Sequence, residues 1–396
     1  MSSDVQLVTI LGSTGSIGVN TLRVIAEHPQ RYGVFALTAN SNAELLMTQC
    51  LQFAPVYAVL ADARDAEALG HKLKAAGVAT EVLHGIDALA MVASAPEVDT
   101  VMAAIVGGAG LMPTLAAARS GKKVLLANKE ALVMAGDLFL EIAAQNNAKI
   151  LPIDSEHNAI FQCLPVNSQA RFEHCPEAGF SKIVLTASGG PFLATPLAEL
   201  ELVTPQQACK HPNWQMGQKI SVDSATLINK ALELIEASYL FATPSQNIDI
   251  LVHPQSIIHS MVYFADGSVL AQLGNPDMRT PIAFGLAWPD RISSGVGQLD
   301  LTALGRLDFL PPDTSRFPGL ELGRAVAEAR GTAPVIFNAA NEIAVAAFLN
   351  GQAGFTQIPV IIDAVLQKLG NGSIDCLEQV METDKLARRL ATEYLH

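Results

Sequence analysis

The sequence predicts an α/β chain with an N-terminal parallel sheet, a central α+β domain that contains an antiparallel sheet, and a C-terminal helical bundle. Short β-branched runs alternate with helical patterns over the first 150 residues, as expected for a parallel sheet covered on both faces. A hairpin signal, Ala265-Asp266-Gly267, lies between two apolar runs further on. From residue 320 onward only helical periodicity is present.

The N-terminal sheet is predicted from runs that alternate in type. The predicted strands are Val5–Leu11, Val34–Thr38, Tyr57–Leu60, Thr100–Ile105 and Lys123–Leu126, and the predicted helices are Thr21–Glu27, Ala63–Ala76 and Leu111–Ser120. Parallel sheets of this kind bind ligands at the carboxyl ends of their strands.

The pattern of predicted strands and helices changes near residue 150. The rest of the chain is predicted to form a strand at Lys182–Ala187, a loop at 208–219, a helix at Ser224–Phe241, hairpin strands at Ser256–Phe264 and Ser268–Gly274, and helices at Leu322–Ala329, Ala333–Leu349, Gln357–Leu369 and Leu377–Tyr394. The segment between the hairpin and the last helices is rich in proline. We therefore expect domains at 1–153 and 154–288, a linker at 289–319 and a helical domain at 320–396.

Composition narrows the classes of function. Half of the 396 residues are hydrophobic, which is enough for two or three domains with large cores. A net charge of −13 argues against a nucleic-acid partner. No apolar run of about eighteen residues is present, so no membrane partner is expected. The first residues lack a signal-peptide pattern, and the five scattered cysteines form no CxxC pair, so we expect reduced thiols and a soluble, cytoplasmic protein.

A glycine-rich loop, Gly12-Ser13-Thr14-Gly15-Ser16-Ile17-Gly18, follows the first predicted strand and opens the first helix. Small residues there let the backbone approach a pyrophosphate, and the helix N-terminus supplies free N–H groups. The spacing is GxxGxxG instead of GxGxxG, but its place in a strand–loop–helix unit predicts a Rossmann-like dinucleotide site.

The end of the second strand indicates which dinucleotide binds. An NAD site usually has an acidic residue there, whereas this chain has Asn40, Ser41 and Asn42. Neutral hydrogen-bonding side chains would tolerate a 2′-phosphate, so NADP is favoured over NAD. Ala104 and the Asn128-Lys129-Glu130 segment end later strands at the same edge and are expected to border the nicotinamide.

An acidic pair, Asp154 and Glu156, lies where the first domain is predicted to end. In an extended segment, residues two apart point the same way, so the two carboxylates would converge while Ser155 faces the other side, unless the chain turns there. Two adjacent carboxylates need a cation, and oxygen-only ligands suit Mg²⁺ or Mn²⁺. Taken alone, such a pair is more often a solvated strand end.

The predicted helix from Ser224 strengthens the metal interpretation. Asn229, Lys230 and Glu233 share one of its faces. Glu233 could complete a three-carboxylate site, and Lys230 with Asn229 could hold a phosphate. Ser224, placed by the prediction at the helix start, would favour the same anion. An ordinary amphipathic surface helix is the alternative.

Two predicted loops also have a composition that is typical of ligand-binding segments. Thr186-Ala187-Ser188-Gly189-Gly190-Pro191 leaves a strand with a hydroxyl and two glycines, which suits phosphate or backbone contact. The loop at 208–219 contains His211 and Trp214 without helical or strand periodicity, which suggests a lid that closes over a ligand. Alternatively, Trp214 packs on the surface of an ordinary loop.

Taken in order, these motifs resemble those of the 1-deoxy-D-xylulose 5-phosphate reductoisomerase family across essentially the whole chain. The segments that carry the resemblance are GSTGSIG at 12–18, LANKE at 126–130, DSEHNAIFQ at 154–162, SGGPF at 188–192, HPNWQMG at 211–217, SVDSATLINKALE at 221–233 and NAANE at 338–342.

The resemblance implies roles for individual residues. Metal ligands would be Asp154, Glu156 and Glu233; the substrate phosphate would be held by Ser188, Ser224, Asn229 and Lys230; the sugar backbone would contact Ser155, Lys129 and His211, with Trp214 in the lid. NADPH would be bound by Thr14, Gly15, Ser16, Ile17 and Asn128, and we add Asn40, Ser41, Asn42, Ala104, Glu130 and Gly217 as further cofactor contacts. Lys129, Glu156 and His211 are the candidate catalytic groups.

The activity implied is the NADPH-dependent isomerisation and reduction of 1-deoxy-D-xylulose 5-phosphate to 2-C-methyl-D-erythritol 4-phosphate in non-mevalonate isoprenoid synthesis. It would require Mg²⁺, Mn²⁺ or Co²⁺ and a homodimer, in which the hairpin region 253–274 is a plausible contact. Two alternatives stay open from the residues alone. One is another NADP-dependent sugar or semialdehyde dehydrogenase, and the other is a non-catalytic NADP-sensing or scaffold protein.

Overall fold

The structure, a computed structural model, describes residues 5–165, 179–214 and 216–395. Cys175 and Gln215, which belong to the predicted thiol set and lid, lie outside the described residues. Within these limits the chain forms two compact units. The first comprises Met1–Ala131, Phe139–Asn158 and Asp277–Gly297, and the second comprises Leu132–Leu138, Ala159–Pro276 and Gln298–His396.

Strands form one sheet in each unit. In chain order they are β1 Gln6–Leu11, β2 Tyr32–Ala39, β3 Tyr57–Leu60, β4 Glu81–His84, β5 Thr100–Ala103, β6 Lys123–Leu126, β7 Lys149–Pro152, β8 Phe180–Ala187, β9 Ile248–Val252, β10 Ile258–Phe264 and β11 Val269–Leu273.

Helices account for most of the remaining described structure. They are α1 Ser16–Glu27, α2 Ala43–Phe53, α3 Ala63–Ala75, α4 Gly85–Ser94, α5 Leu111–Arg119, α6 Lys129–Gln145, α7 Ser155–Cys163, α8 Pro205–Ala208, α9 Gln218–Ala225, α10 Ile228–Leu240, α11 Arg279–Ala287, α12 Leu301–Leu304, α13 Gly319–Ala329, α14 Ala333–Leu349, α15 Gln357–Leu369 and α16 Leu377–Glu393.

The first unit is built on a wholly parallel sheet with the strand order β4-β3-β2-β1-β5-β6-β7 among the residues described. The predicted parallel sheet is confirmed, although β4 and β7 were not predicted. Strand β5 ends at Ala103, earlier than the predicted end at Ile105. Because the strand order reverses beside β1, the loops that follow β1 and β5 open a crevice of the kind that binds ligands in such sheets.

The second unit contains a mixed sheet with the order β11-β10-β8-β9 in the described part of the chain. Strands β10 and β11 pair antiparallel, which confirms the predicted hairpin, and β10 also pairs antiparallel with β8. Strand β9 lies parallel to β8, so both β8 and β9 end at the same edge. That edge leads directly into Ser188 and His253.

The predicted helix Ser224–Phe241 is wrong in two respects. The structure divides it into α9 and α10, and α9 begins at Gln218, inside the predicted loop 208–219. Leu227 adopts a left-handed conformation with φ of 59°, which ends one helix and begins the next. Neither glycine nor proline marks this break in the sequence, and Leu227 is buried with 4% of its surface exposed. Tertiary packing therefore overrides local helix propensity at this point.

The helices predicted after residue 320 are confirmed as α13 to α16, with bounds that agree to within one residue except that α13 begins at Gly319 instead of Leu322. Helix α14 is apolar on most sides and packs against α13, α15 and α16. The predicted linker contains the short helix α12, which begins at the side-chain cap of Asp300. No helix among the described residues has the length and apolar character needed to cross a bilayer.

Candidate functional site

The glycine-rich loop after β1 has two positions where only glycine fits. Gly12 has φ of 85°, and a Cβ there would lie 2.7 Å from the carbonyl oxygen of Ala104. A Cβ on Gly18 would overlap the backbone of Gly12 and Ser13. The loop after β1 therefore packs directly against the loop after β5 and beneath the first turn of α1.

Hydrogen bonds hold the start of the glycine-rich loop in place, and the residues that follow are exposed. The backbone N–H of Ser13 donates to Thr38 O at 2.7 Å, and its hydroxyl donates to the Gln49 side chain at 2.7 Å. Gly15 and Ser16 are exposed, and Gly15 caps α1 without a side-chain hydrogen bond. The first turn of α1 thus presents backbone N–H groups that suit a pyrophosphate, as the sequence predicted for the segment from Thr14 to Ile17.

The turn after β2 carries three polar side chains that were predicted to contact the cofactor. Asn40, Ser41 and Asn42 are all exposed at the carboxyl end of β2. The Asn42 side chain accepts a hydrogen bond from Leu45 N at 3.1 Å and so caps α2. Asn42 therefore has a structural role in addition to the predicted cofactor contact.

Asn128 is a second predicted cofactor residue whose side chain holds the backbone. It is 1% exposed, its Oδ1 accepts from Ala131 N at 3.0 Å, and its Nδ2 donates to the carbonyls of Ile105 and Gly107. It thus caps α6 and fixes the loop that begins with the partly buried Ala104. The next residues, Lys129 and Glu130, form the buried first turn of α6.

The acidic pair lies at the start of a helix and not in an extended segment, so that expectation was wrong. Helix α7 begins at Ser155, directly after Asp154, whose Oδ1 accepts from Ser155 N at 3.0 Å. Ser155 also points toward the acidic pair, because its hydroxyl donates to Glu156 Oε2 at 2.6 Å. The first turn of α7, and not the alternation of a strand, therefore brings Asp154, Ser155 and Glu156 together.

Lys129 forms an ion pair with Asp154 within the first unit. Only 9% of the Lys129 side chain and 20% of the Asp154 side chain are exposed. The contact between this ammonium group and the carboxylate is a charge-assisted hydrogen bond, which holds Lys129 beside the start of α7. The residues predicted to contact metal and sugar in this unit, including Ser155 and Glu156, therefore do converge.

In the second unit, α10 carries the predicted phosphate and metal residues in mutual contact. The Lys230 ammonium pairs with Glu233 Oε2, and Asn229 Nδ2 donates a short hydrogen bond to Glu233 Oε1. Glu233 has no exposed surface and Lys230 has 4%. The alternative of an amphipathic surface helix is excluded, since most of α10 is buried.

Ser188 and His211 meet at the end of β8. His211 Nδ1 accepts hydrogen bonds from the backbone N–H groups of Asn213 and Trp214, at 3.2 and 3.0 Å. The neutral ring therefore carries its proton on Nε2, which donates to Ser188 Oγ at 2.8 Å. This tautomer presents a proton donor toward the loop that was predicted to hold phosphate.

Sequence reasoning overlooked Asn213, although it lies inside a quoted motif. Its Nδ2 donates to Pro254 O at 2.7 Å and to Ser256 Oγ at 2.9 Å, which ties the turn 211–214 to the turn 253–256. Trp214 lies with its ring centroid 6.0 Å from that of His259. The position of Asn between His211 and Trp214 is the one signal that could have indicated this role.

Ser224 does not start a helix, which corrects the prediction made for it. It lies in the last turn of α9, whose N-cap is the predicted cofactor residue Gly217. A Cβ on Gly190, where φ is 68°, would be 2.9 Å from Ser224 O. Close backbone packing therefore brings Ser224 to the Ser188 loop without any N-terminal helix dipole.

Comparison with known proteins assigns this geometry to a family. The family model described as 1-deoxy-D-xylulose 5-phosphate reductoisomerase matches residues 8–136, and two models for C-terminal domains of the same reductoisomerase match 150–241 and 273–390. The 1-deoxy-D-xylulose 5-phosphate reductoisomerase of Cellvibrio japonicus is 59% identical and covers 98% of both chains. This chain belongs to the 1-deoxy-D-xylulose 5-phosphate reductoisomerase family.

Other family members extend the comparison to solved structures. The reductoisomerase of Dechloromonas aromatica is 57% identical over 100% of this chain and 98% of its own. A DOX-P reductoisomerase crystallised with NADPH, fosmidomycin and magnesium has a TM-score of 0.95 at 47% identity, covering 99% of this chain and 98% of its own. The Zymomonas mobilis reductoisomerase in complex with NADPH has a TM-score of 0.90 at 46% identity, with both chains fully covered. The predicted family and fold class are confirmed.

Proposed function

We propose that this chain isomerises and reduces 1-deoxy-D-xylulose 5-phosphate to 2-C-methyl-D-erythritol 4-phosphate, with NADPH as hydride donor and Mg²⁺ as the metal. The observation that carries this activity is 59% identity to a reductoisomerase over nearly the whole of both chains. The chain is accordingly an NADP-dependent oxidoreductase of the non-mevalonate isoprenoid route. Mn²⁺ or Co²⁺ is proposed to replace Mg²⁺ in the same site.

The proposed metal ligands are Asp154, Glu156 and Glu233. Their donor atoms are all carboxylate oxygens, which suit a hard divalent cation. Bound Mg²⁺ would supply Lewis acidity to the ketone and neighbouring hydroxyl of the substrate.

The substrate phosphate is proposed to bind at Ser188, Ser224, Asn229 and Lys230. The packing of Gly190 on Ser224 supports this, because it places the backbone of Ser224 against the loop that carries Ser188, and α10 follows directly after Leu227. A phosphate anchored there is remote from the reacting carbons, so its binding energy holds both fragments in place during bond cleavage and re-formation.

Lys129, Ser155 and His211 are proposed to orient the sugar carbons. The Nε2–H of His211 is available to donate to a substrate oxygen if Ser188 turns to the phosphate, and Lys129 Nζ offers a second donor beside Asp154. The isomerisation would proceed by a retro-aldol cleavage and an aldol re-addition, giving a branched aldehyde. Trp214 is proposed to help exclude water while this intermediate forms.

NADPH is proposed to lie across the carboxyl ends of β1, β2 and β5, with its pyrophosphate on the segment from Thr14 to Ile17. Asn40 and Ser41, which are exposed beside the β2 edge, are proposed to accept the 2′-phosphate. Asn42, Ala104, Asn128, Glu130 and Gly217 complete the proposed cofactor contacts. Hydride transfer to the aldehyde then gives the branched polyol phosphate.

We also propose a homodimer located in the cytoplasm, with the hairpin region 253–274 contributing to the dimer contact. The cysteines that the structure describes are free thiols, and burial raises the pKa of Cys50 to about 12 and that of Cys163 to about 11. Protonated, buried thiols suit a reducing compartment. Mass photometry at nanomolar concentration would report a monomer if the dimer proposal is wrong.

The test is a spectrophotometric assay with NADPH, Mg²⁺ and 1-deoxy-D-xylulose 5-phosphate. Oxidation of NADPH should depend on the substrate and stop on addition of a chelator, and excess Mg²⁺ should restore it. Substrate-dependent oxidation that survives exhaustive chelation would favour the alternative of a metal-independent sugar or semialdehyde dehydrogenase. NADPH binding without turnover of this substrate would contradict the proposed reaction.

A further inference from the structure

Helix α14 contains the segment Asn338–Glu342, which the proposed reaction does not use. Asn341 lies in the middle of this helix with no exposed surface. Its Nδ2 donates to Asp223 Oδ1 at 2.9 Å, and Asp223 belongs to α9, 118 residues earlier in the chain. A buried side-chain bond therefore connects the C-terminal helices to the helix that contains Ser224.

Asp223 is a buried carboxylate held from two sides. It has no exposed surface, and its Oδ2 pairs with the Lys219 ammonium at 2.8 Å, one turn earlier on α9. The Lys219 side chain is 18% exposed. Because an incompletely solvated carboxylate is costly unless it is paired, both partners favour one position of α9.

The position of α9 determines the position of two proposed phosphate ligands. Ser224 follows Asp223 directly, and the carbonyl of Ser224 lies against Gly190, where a Cβ would be only 2.9 Å away. Gly190 N in turn donates to Ser188 Oγ at 3.1 Å. This close approach leaves no room for a side chain at Gly190, so a shift of α9 would change the position of Ser224 relative to the Ser188 loop.

We propose that Asn341 is a positioning residue for the phosphate site. Through Asp223, the C-terminal helices fix α9, and α9 fixes Ser224 and the Ser188 loop at the spacing that a phosphate requires. This inference rests on the proposed function, since it names the residue that sets the geometry of the same site. Loss of the bond should weaken substrate binding more than it slows the chemical steps.

Asn338 provides a matched control on the same helix. It is equally buried, and its Nδ2 donates to Glu342 Oε1 at 3.0 Å within α14. Glu342 also pairs with Arg388 of α16 at 2.8 Å, so these bonds connect helices of the C-terminal region. An Asn-to-Leu change at either position removes one buried hydrogen bond, but only the change at Asn341 releases α9.

The experiment compares Asn341→Leu with Asn338→Leu in the full chain. Both variants should show a lower Tm. Asn341→Leu should raise KM for the sugar phosphate about tenfold with kcat within about twofold of wild type, as expected for one lost hydrogen bond to a charged group. Asn338→Leu should keep the wild-type KM. Equal KM values for the two variants would overturn the proposal.

Two further variants keep the test decisive if the leucine forms fold poorly. The pair Asn341→Ser and Asn338→Ser makes the same comparison with smaller, polar side chains. Lys219→Gln reaches the same Asp223 carboxylate from the opposite side and should raise KM in the same direction as Asn341→Leu, while leaving α14 unchanged. A normal KM in both Lys219→Gln and Asn341→Ser would also overturn the proposal.

A binding measurement separates this inference from the proposed reaction. The chain has two tryptophans, so a Trp288→Phe background leaves Trp214 as the single fluorescent reporter. Titration with inorganic phosphate should give a weaker Kd in Asn341→Leu than in Asn338→Leu. Wild type that binds phosphate but does not turn over the sugar phosphate would refute the reaction alone. Active wild type with equal phosphate Kd in both variants would refute the role of Asn341 alone.

Discussion

Two lysine–carboxylate pairs lie in different units of the chain, and they are built differently. Lys129 and Asp154 come from two elements, and a fifth of the Asp154 side chain is exposed. Lys230 and Glu233 are three residues apart on α10, and Glu233 has no exposed surface. The first carboxylate can still be hydrated, whereas the second depends wholly on its protein partners.

This difference in exposure bears on how each carboxylate could bind a metal ion. Each oxygen of Glu233 already accepts from one protein group, Asn229 or Lys230. A bound Mg²⁺ would repel the Lys230 ammonium on the same carboxylate, so we expect an exchange of partners when the metal binds. The same exchange would free Lys230 and Asn229 for the substrate phosphate. Metal and phosphate binding are therefore expected to support each other in the second unit.

The largest effect is expected from Glu233→Gln. An amide keeps the size of the side chain but removes the charge that attracts Mg²⁺, so kcat should fall roughly a thousandfold, as when a Lewis acid worth several kcal/mol is lost. The Kd for NADPH should not change. Glu321→Gln, at an exposed position of α13, is the control and should retain full turnover. Normal turnover of Glu233→Gln at saturating Mg²⁺ would remove Glu233 from the ligand set.

The next effect concerns stability and tests the comparison directly. Lys230→Met leaves a wholly buried Glu233 charge without its ammonium partner and should lower the free energy of unfolding by about 3 kcal/mol. Lys129→Met should lower it by only about 1 kcal/mol, because Asp154 retains some hydration. Urea unfolding of the two variants measures the difference. Equal losses would show that burial does not distinguish the pairs.

A smaller effect is expected on substrate affinity. Lys230→Gln should raise KM for the sugar phosphate about thirtyfold, since a charge-assisted hydrogen bond contributes roughly 2 kcal/mol. The value of kcat should change much less. Lys368→Gln, which removes an exposed cation from the last turn of α15, should leave both constants unchanged. An unaltered KM in Lys230→Gln would contradict its phosphate role.

The smallest effect is the expected coupling between metal and phosphate. Mg²⁺ should tighten binding of inorganic phosphate to wild type about fivefold, within the usual range of coupling between sites. In Glu233→Gln the tightening should disappear, because Lys230 is no longer paired with a carboxylate from which Mg²⁺ could displace it. Calorimetric titrations with and without Mg²⁺ provide the comparison. The exchange of partners is disproved if wild type and variant show the same coupling.

The fold was largely predictable wherever side-chain pattern and local geometry agree. Continuous apolar runs predicted the parallel sheet, and Ala265-Asp266-Gly267 predicted the hairpin. Strand β4 was missed because its four residues mix polar and apolar side chains, and β7 was missed because it lies where the sequence pattern changes near residue 150. The break at Leu227 was missed because its left-handed conformation is imposed by packing and has no glycine signal. The division into domains at 153, 288 and 319 stays a prediction.

At the site, residue types were easier to predict than their conformations. The gathering of Ser155 and Glu156 follows from a helical turn that the sequence pattern did not indicate. The contact of Ser224 with the Ser188 loop depends on Gly190, whose closeness to α9 is a long-range packing fact. Asn128 and Asn42 were identified as cofactor residues, but their bonds to backbone are visible only in three dimensions.

Helix α11 has a consequence for how the protein is made on the ribosome. It packs against α1 and β6, a Cβ on its Gly285 would overlap Ile153, and Leu286 O accepts from Lys123 Nζ at 2.7 Å. The strands of the parallel sheet are thus translated early. The side of the sheet that α11 covers stays uncovered until residues beyond 276 have been synthesised. During synthesis its apolar flank stays exposed while most of the second unit emerges, which makes this interval the one most sensitive to aggregation and to chaperone supply.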